Sequence, residues 1–247
     1  MADRVVVVTG GAKGIGRAVV ERFAALGDAV VALGRDERAL EQVARDLGVR
    51  AEVCDVTDER AVHAAFERIG AADVLVNNAG VAGSAPLGRT TLESWQAHLD
   101  VNATGAFLCT RAVVPGMVER HRGRIVTVAS TAGRVGHRYT SAYVASKHAA
   151  VGLMRAVAAE VAGTGVTANA VCPSFVRTDM TARSVARIAE VTGRSPRESE
   201  RALAESSQLG RLLEPAEIAA AVGFLASAEA AAINGQTLVI DGGGVQA

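Results

Sequence analysis

Residues Thr9–Gly16 read TGGAKGIG, directly after the run Val5–Val8 and directly before the helical spacing Ala18, Val19, Phe23. A strand that turns on Gly10, Gly14 and Gly16 and opens at once into a helix leaves bare backbone at the positive end of the helix dipole. A pyrophosphate can approach such a place closely, so the segment predicts a dinucleotide site. Glycines also serve tight turns and close helix packing; it is the strand-turn-helix setting that gives the triplet its meaning.

The rest of the chain repeats that alternation. Val5–Val8, Ala29–Leu33, Val74–Val76, Ile125–Val128, Val166–Val171 and Leu238–Ile240 are short, largely β-branched runs, the pattern of strands covered on both faces. Between them apolar residues recur three and four apart. Asp36 stands as a cap before the stripe Leu40, Val43, Ala44, Leu47, with Gly48 as a stop. Thr90 with Glu93, and Ser195 with Pro196 and Glu198, read as further helix starts. Strand and helix in turn predict an α/β fold, a single Rossmann-like doubly wound parallel sheet of about seven strands with helices on both faces. No linker or repeat divides the 247 residues, so one domain over 1–247 is expected. Its one irregularity is the arginine-rich stretch Ala182–Ser207, read as a helical excursion over a site at about 180–210, a solvated helical face being the plainer use.

Composition narrows the partners. Lysine and arginine number 26 against 26 acidic residues, and aromatics are only 3%. That balance argues against nucleic acid and against an anionic membrane surface. Cys54, Cys109 and Cys172 lack CxxC spacing, and His63, His98, His121, His137 and His148 lack metal-ligand spacing, so neither a disulfide framework nor a metal site is expected. With no apolar stretch of spanning length, the expectation is a soluble, cytoplasmic protein with a small-molecule partner.

TGxxxGxG at Thr9–Gly16, NNAG at Asn77–Gly80, Asn102 in DVNATG, Ser130 after the fifth strand, YxxxK at Tyr143 and Lys147, and Pro173 after the sixth strand occur in this order. Together they resemble the short-chain dehydrogenase/reductase family, and its shorter oxidoreductase branch in particular. One departure is Pro173-Ser174, where many members continue with glycine. The resemblance implies catalytic roles for Asn102, Ser130, Tyr143 and Lys147, with Asn102 in a water-mediated proton relay. It also implies cofactor contacts from Gly10, Lys13, Gly14, Ile15 and Gly16 in the first turn, and from Arg35, Asp55 and Val56 after the second and third strands. Asn78, Ala79 and Gly80, then Tyr143 and Lys147, then Pro173, Val176 and Thr178 complete that set. Each has a plainer use: Asn102 as an amide satisfying helix backbone, Asn78 as a stitch between strands, Asp55 as a helix cap.

The side chains argue the same chemistry. Tyr143 and Lys147, four apart on a helix running from Ser141 towards Val161, share a face. A phenol ionises near ~10, and lowering that by two to three units costs roughly 3–4 kcal/mol. A cation ~4 Å away at an effective dielectric of ~20 supplies about 4 kcal/mol. Ser130 can hydrogen-bond a substrate oxygen while Tyr143 moves the proton. A buried tyrosine, a surface Tyr/Lys pair or a strand-ending serine is each commoner when met alone.

The expectation is therefore an NADP(H)-dependent oxidoreductase interconverting a ketone and a secondary alcohol. By resemblance it is closest to reductases of 3-ketoacyl thioesters and polyketides. The alternatives are an NAD(H)-dependent secondary-alcohol dehydrogenase, an isomerase or dehydratase on the same fold, and a non-catalytic dinucleotide-binding protein. NADP(H) rests on Gly34, where NAD-preferring members carry an acid, and on Arg35 and Lys13 as phosphate donors. The opposing reading gives Asp36 the ribose contact, or makes it a mere helix cap beside a solvated Arg35. Gly163-Thr164-Gly165 stands where carrier-protein-dependent members often show a basic residue, which argues against an obligate carrier. Arg183 and Arg187 are candidate partners for coenzyme A phosphates. The resemblance also implies a homotetramer or homodimer, with the tail 241–247 at a subunit boundary.

Overall fold

The computed structural model describes residues 4–205 and 207–246. Seven strands form one parallel sheet: β1 (Val5–Thr9), β2 (Ala29–Gly34), β3 (Arg50–Val53), β4 (Val74–Asn77), β5 (Gly123–Val128), β6 (Val166–Pro173) and β7 (Thr237–Ile240). Their order is β3-β2-β1-β4-β5-β6-β7. The chain thus runs outward from β1 to β3, then returns to the other side of β1 for β4. That reversal opens a crevice at the carboxyl ends of β1 and β4, the place where open α/β sheets hold ligands.

Side chains alternate across the sheet. Val6, Val8, Val74 and Val76 pack with Val19, Val20 and Phe23 of α1 (Gly14–Ala25), Leu40 and Val43 of α2 (Glu37–Leu47), and Ile218 and Val222 of α9 (Pro215–Leu225). Val7, Leu75 and Ile125 face the opposite layer. There they meet Val62 and Phe66 of α3 (Glu59–Ile69), Leu108 and Met117 of α5 (Gly105–Glu119), and Val151 and Met154 of α6 (Ser141–Glu160). Burial on both faces explains why the central strands read as unbroken apolar runs.

Helix boundaries follow the expected caps with one correction. Asp36 accepts from Ala39 N at 3.1 Å and Gly48 ends α2 in the left-handed conformation. Helix α4 (Leu92–Leu99) is capped by Thr91, which accepts from Ser94 N, and not by Thr90. Thr90 is already spent closing the preceding 3-10 turn, its N–H bonded to Leu87 O at 3.1 Å. The stretch after β6 forms two helices, α7 (Asp179–Thr192) and α8 (Pro196–Glu205). Ser195 and Glu198 make the reciprocal cap between them, Ser195 N donating to the Glu198 carboxylate at 2.8 Å and Glu198 N to Ser195 Oγ at 3.3 Å. Of the residues named in the excursion and the tail, Ser206 and Ala247 lie outside the described set.

Candidate active site

A cleft of about 660 Å³ lies along the carboxyl edge of the sheet. One wall is the glycine turn, with Gly10, Lys13, Gly14 and Ile15 in its lining; Asn78, Ala79 and Gly80 line it after β4, and Pro173, Val176 and Thr178 after β6. Gly16 lies beneath the turn, where a Cβ would sit 2.1 Å from Gly10 O and 2.5 Å from Asn78 Nδ2. Gly10 has φ +65°, a backbone that L side chains rarely adopt. Two polar residues join the two loops. Thr9 Oγ1 accepts from the backbone N–H of Asn78 and of Ala79, each at 2.9 Å, and Asn78 Nδ2 donates to Thr9 O at 2.9 Å. Asn78 thus serves as the stitch. No side chain caps α1, whose N-cap is Lys13, so its first-turn N–H groups stay open to an anion. Bare backbone, an open helix start and a cleft of this volume fit a dinucleotide.

Ser130, Tyr143 and Lys147 meet on the opposite wall. Ser130 follows β5 and accepts from Ala132 N at 3.1 Å, which fixes its side chain. Lys147 is buried, and its Nζ donates to Val128 O at 2.9 Å and lies 5.9 Å from the Tyr143 ring centroid. Burial brings the ammonium down to about 8. Burial also pushes the Tyr143 phenol up, and its hydrogen bond with Ser130 opposes that rise. This corrects the expectation of a phenol lowered by its lysine. Burial taxes the phenolate, and that desolvation is the largest influence on the phenol.

Asn102 is buried in a π-helical turn, Asp100–Thr104, between α4 and α5. Its amide accepts from Val81 N at 2.8 Å and donates to Val81 O and to Ser146 Oγ, each at 2.9 Å. It therefore ties the loop after β4 to the Tyr143 helix, and its side chain satisfies loop backbone. Pro173-Ser174 needs no glycine: Ser174 is not among the described residues with positive φ, and its N–H bonds Ile240 O at 3.0 Å.

Arg35, Asp55 and Val56 do not line the cleft; they follow the ends of β2 and β3 at its flank. Both cations named for a phosphate are paired. Lys13 Nζ lies 2.6 Å from Asp36 Oδ2, and Arg35 lies 3.5 Å from Asp55 Oδ2. Asp36 combines its cap with that ion pair, and the lysine, with Ala39 N, holds its carboxyl below the usual range. Asp55 caps no helix; it accepts from Thr57 N and Oγ1. Arg183 lines the cleft, whereas Arg187 pairs with Glu190 at 2.7 Å.

Several lining residues were not singled out by the sequence: Met180, Ile188 and Leu203 within the excursion expected over the site, Phe175 before it, and Tyr139 beside Arg138. Tyr139 has φ +65°, a costly backbone for a bulky residue. Its carbonyl accepts from Ala85 N at 2.7 Å, which joins the two loops over the cleft.

A dinucleotide crevice facing a Ser–Tyr–Lys cluster at the edge of a doubly wound sheet has the layout of an oxidoreductase acting on alcohol and carbonyl pairs. Residues 4–189 match the short chain dehydrogenase family, and the chain belongs to it. It is 36% identical to the 3-oxoacyl-(acyl-carrier-protein) reductase FabG of Escherichia coli, over 97% of this chain and 96% of that protein. It is 39% identical to the 2-(R)-hydroxypropyl-CoM dehydrogenase of Xanthobacter autotrophicus, over 97% and 98%. Among solved structures, a single-substitution variant of actinorhodin polyketide ketoreductase with NADPH superposes with a TM-score of 0.92 at 37% identity, covering 98% of this chain and 97% of that one. Among the described residues no helix is long and apolar enough to cross a membrane.

Proposed function

We propose that this protein is an NADP(H)-dependent reductase that converts a ketone, a 3-ketoacyl thioester or a similar compound, into a secondary alcohol. The observation that carries the reading is the convergence of Ser130, Tyr143 and Lys147 on one wall of a cleft whose other wall is an uncapped glycine turn. The glycine turn, Asn78–Gly80 and the Pro173–Thr178 segment would hold the dinucleotide, which when bound supplies hydride. Ser130 and Tyr143 hydrogen-bond the substrate oxygen, and the phenol gives its proton as charge grows there. A phenol held protonated by burial suits that direction. Lys147 stabilises the phenolate left behind. Asn102 holds the loop after β4 against α6, so that the Tyr143 helix and the cofactor wall keep a fixed distance.

Helices α7 and α8 act as a lid on the one domain, since Met180, Arg183, Ile188 and Leu203 all face the cleft. Exposed Phe107, Phe224 and Leu238 are suited to contacts within a homodimer or homotetramer, and light scattering that returns a monomer would overturn this. The reading as a whole is tested with acetoacetyl-CoA and NADPH, followed at 340 nm. One cofactor should be oxidised per hydroxyl product. Cofactor binding without turnover on any ketone would make the chain a non-catalytic binder. Product without stoichiometric cofactor use would make it an isomerase or dehydratase.

A further inference from the structure

A smaller cavity of about 160 Å³ adjoins the main cleft and shares Gly83, Ser84, Tyr139 and Thr140 with it. Two of its lining residues, His98 and Ser141, carry buried polar atoms without a partner, Nε2 and Oγ. His98 is only 7% exposed, and its ring stands edge-on to Tyr143 with centroids 6.4 Å apart. Ser141 opens the helix that carries Tyr143 two residues later. The chamber therefore sits beside the reacting group, and nothing in the proposed chemistry uses it.

Its hydrogen-bonding demand can be read from the tautomer. His98 Nδ1 lies 2.6 Å from Ser94 O. A carbonyl oxygen only accepts, so Nδ1 carries the hydrogen and Nε2 of the neutral ring presents a lone pair. Ser141 Oγ can turn its hydrogen outward. A group that satisfies both donates to Nε2 and exchanges a hydrogen bond with Oγ in either sense. A single hydroxyl does this; a ketone or ether cannot donate to Nε2. Buried polar atoms left unpaired are costly, so a substrate hydroxyl that pairs with both is favoured there.

We infer that this chamber is a hydroxyl subsite: the substrate is a ketone that carries an alcohol, phenol or enol hydroxyl a few bonds from the reacting carbonyl, held between His98 Nε2 and Ser141 Oγ. The inference rests on the proposed ketone reductase reading and names the substrate class within it. His98 is a specificity-determining residue, acting on the distal hydroxyl and not on the proton that Tyr143 transfers.

The test compares ethyl 3-oxohexanoate with its 5-hydroxy, 6-hydroxy and 6-methoxy derivatives. In the wild type, kcat/KM for the better hydroxy ester should exceed that for both the parent and the methoxy ester by about tenfold, the scale of one buried, satisfied hydrogen-bonding group. His98→Leu and Ser141→Ala should each pull that ratio towards one, and His98→Gln should restore part of it through its amide oxygen. In parallel, the ¹⁵N imidazole signal of His98 in the protein with bound NADP+ should move on adding the hydroxy ester and not on adding the methoxy ester. If the wild type treats all the esters alike, or the ratio survives His98→Leu, the subsite is wrong while the reductase reading stands. If none of the esters is reduced, that reading fails, and the His98 signal decides the subsite alone: movement by the hydroxy ester only supports it, and an equal or absent response overturns it.

Discussion

Changing Gly34 to Asp together with Arg35 to Ile should convert an NADPH preference into an NADH preference, and the structure bounds the size of the change. Position 34 ends β2, and a Cβ there meets nothing closer than Leu40 Cδ2 at 3.9 Å. The Cβ of an aspartate thus meets only ordinary packing contacts, and a melting-temperature control separates lost stability from lost binding. Arg35 and Lys13 are each held by one exposed carboxylate, Asp55 and Asp36. Such surface pairs are worth about 0–1 kcal/mol, whereas a charge-assisted hydrogen bond to a phosphate is worth about 1.5–3 kcal/mol. A 2′-phosphate therefore outcompetes the native partners by roughly 1–2 kcal/mol per cation, or about five- to thirtyfold in kcat/KM. Removing Arg35 costs NADPH that factor and leaves NADH nearly untouched; the new carboxylate then repels the phosphate and accepts from both ribose hydroxyls. The assay is the ratio of kcat/KM for NADPH over NADH, at low and at moderate salt, in wild type, Arg35→Ile, Lys13→Ala and the double variant. The ratio should fall with salt in the wild type and invert in the double variant. A wild type that prefers NADH, or a double variant that keeps its NADPH preference, refutes the reasoning. The first result would return the ribose contact to Asp36.

Tyr143→Phe should lower kcat by about 10²–10⁴-fold while the cofactor dissociation constant moves less than about threefold; a variant that keeps a tenth of its activity contradicts proton transfer from this phenol. Because burial lowers Lys147 to about 8 from an unfolded value of ~10.4, the unfolded state binds the extra proton between those limits. Stability contributed at this site should therefore rise with pH from about 8 to about 10, by up to ~3 kcal/mol, while the protein is free of cofactor. Urea unfolding should show wild-type stability rising relative to that of Lys147→Met over that window, and a difference independent of pH would show that burial does not lower this lysine. Arg183→Ala should weaken a coenzyme A thioester more than the matching free ketone, and Arg187→Ala should not, because only Arg183 lines the cleft. Equal effects of the two changes on the thioester would remove coenzyme A from the lid. Asn102→Ala should lower the melting temperature as well as activity, since it strands Val81 N and Val81 O and removes the amide that donates to Ser146 Oγ. An unchanged melting temperature would show that the tie is not structural.

What could be read from the chain followed from periodicity and bare backbone. The apolar runs of the central strands are unbroken because both faces of the sheet are covered there, and the glycine turn is a cradle because a Cβ has no room at Gly16. Strand β3 escaped the apolar pattern for a physical reason. It is an edge strand, with Arg50 and Val53 exposed and Glu52 buried against Arg50 and Arg68, so its residues alternate and no run forms. Thr90 and Thr91 are equivalent in composition; only the hydrogen bond that Thr90 N makes to Leu87 O decides which one caps. The π-helical turn at Asn102 and the left-handed Tyr139 are backbone events that residue type barely signals.

Charge state was the least legible property. Spacing alone put a cation beside a phenol, from which a lowered phenol follows. In the fold the same helix face is buried, the ammonium is committed to Val128 O, and the phenol is raised. The opposite sign has a chemical consequence. A reductase must hold the proton on Tyr143 until hydride arrives, and burial favours that. A dehydrogenase must first remove that proton, against the burial that raises the phenol. A phenol held protonated suits the proton donation of the proposed reductase, and the reverse reaction should show the steeper dependence on pH.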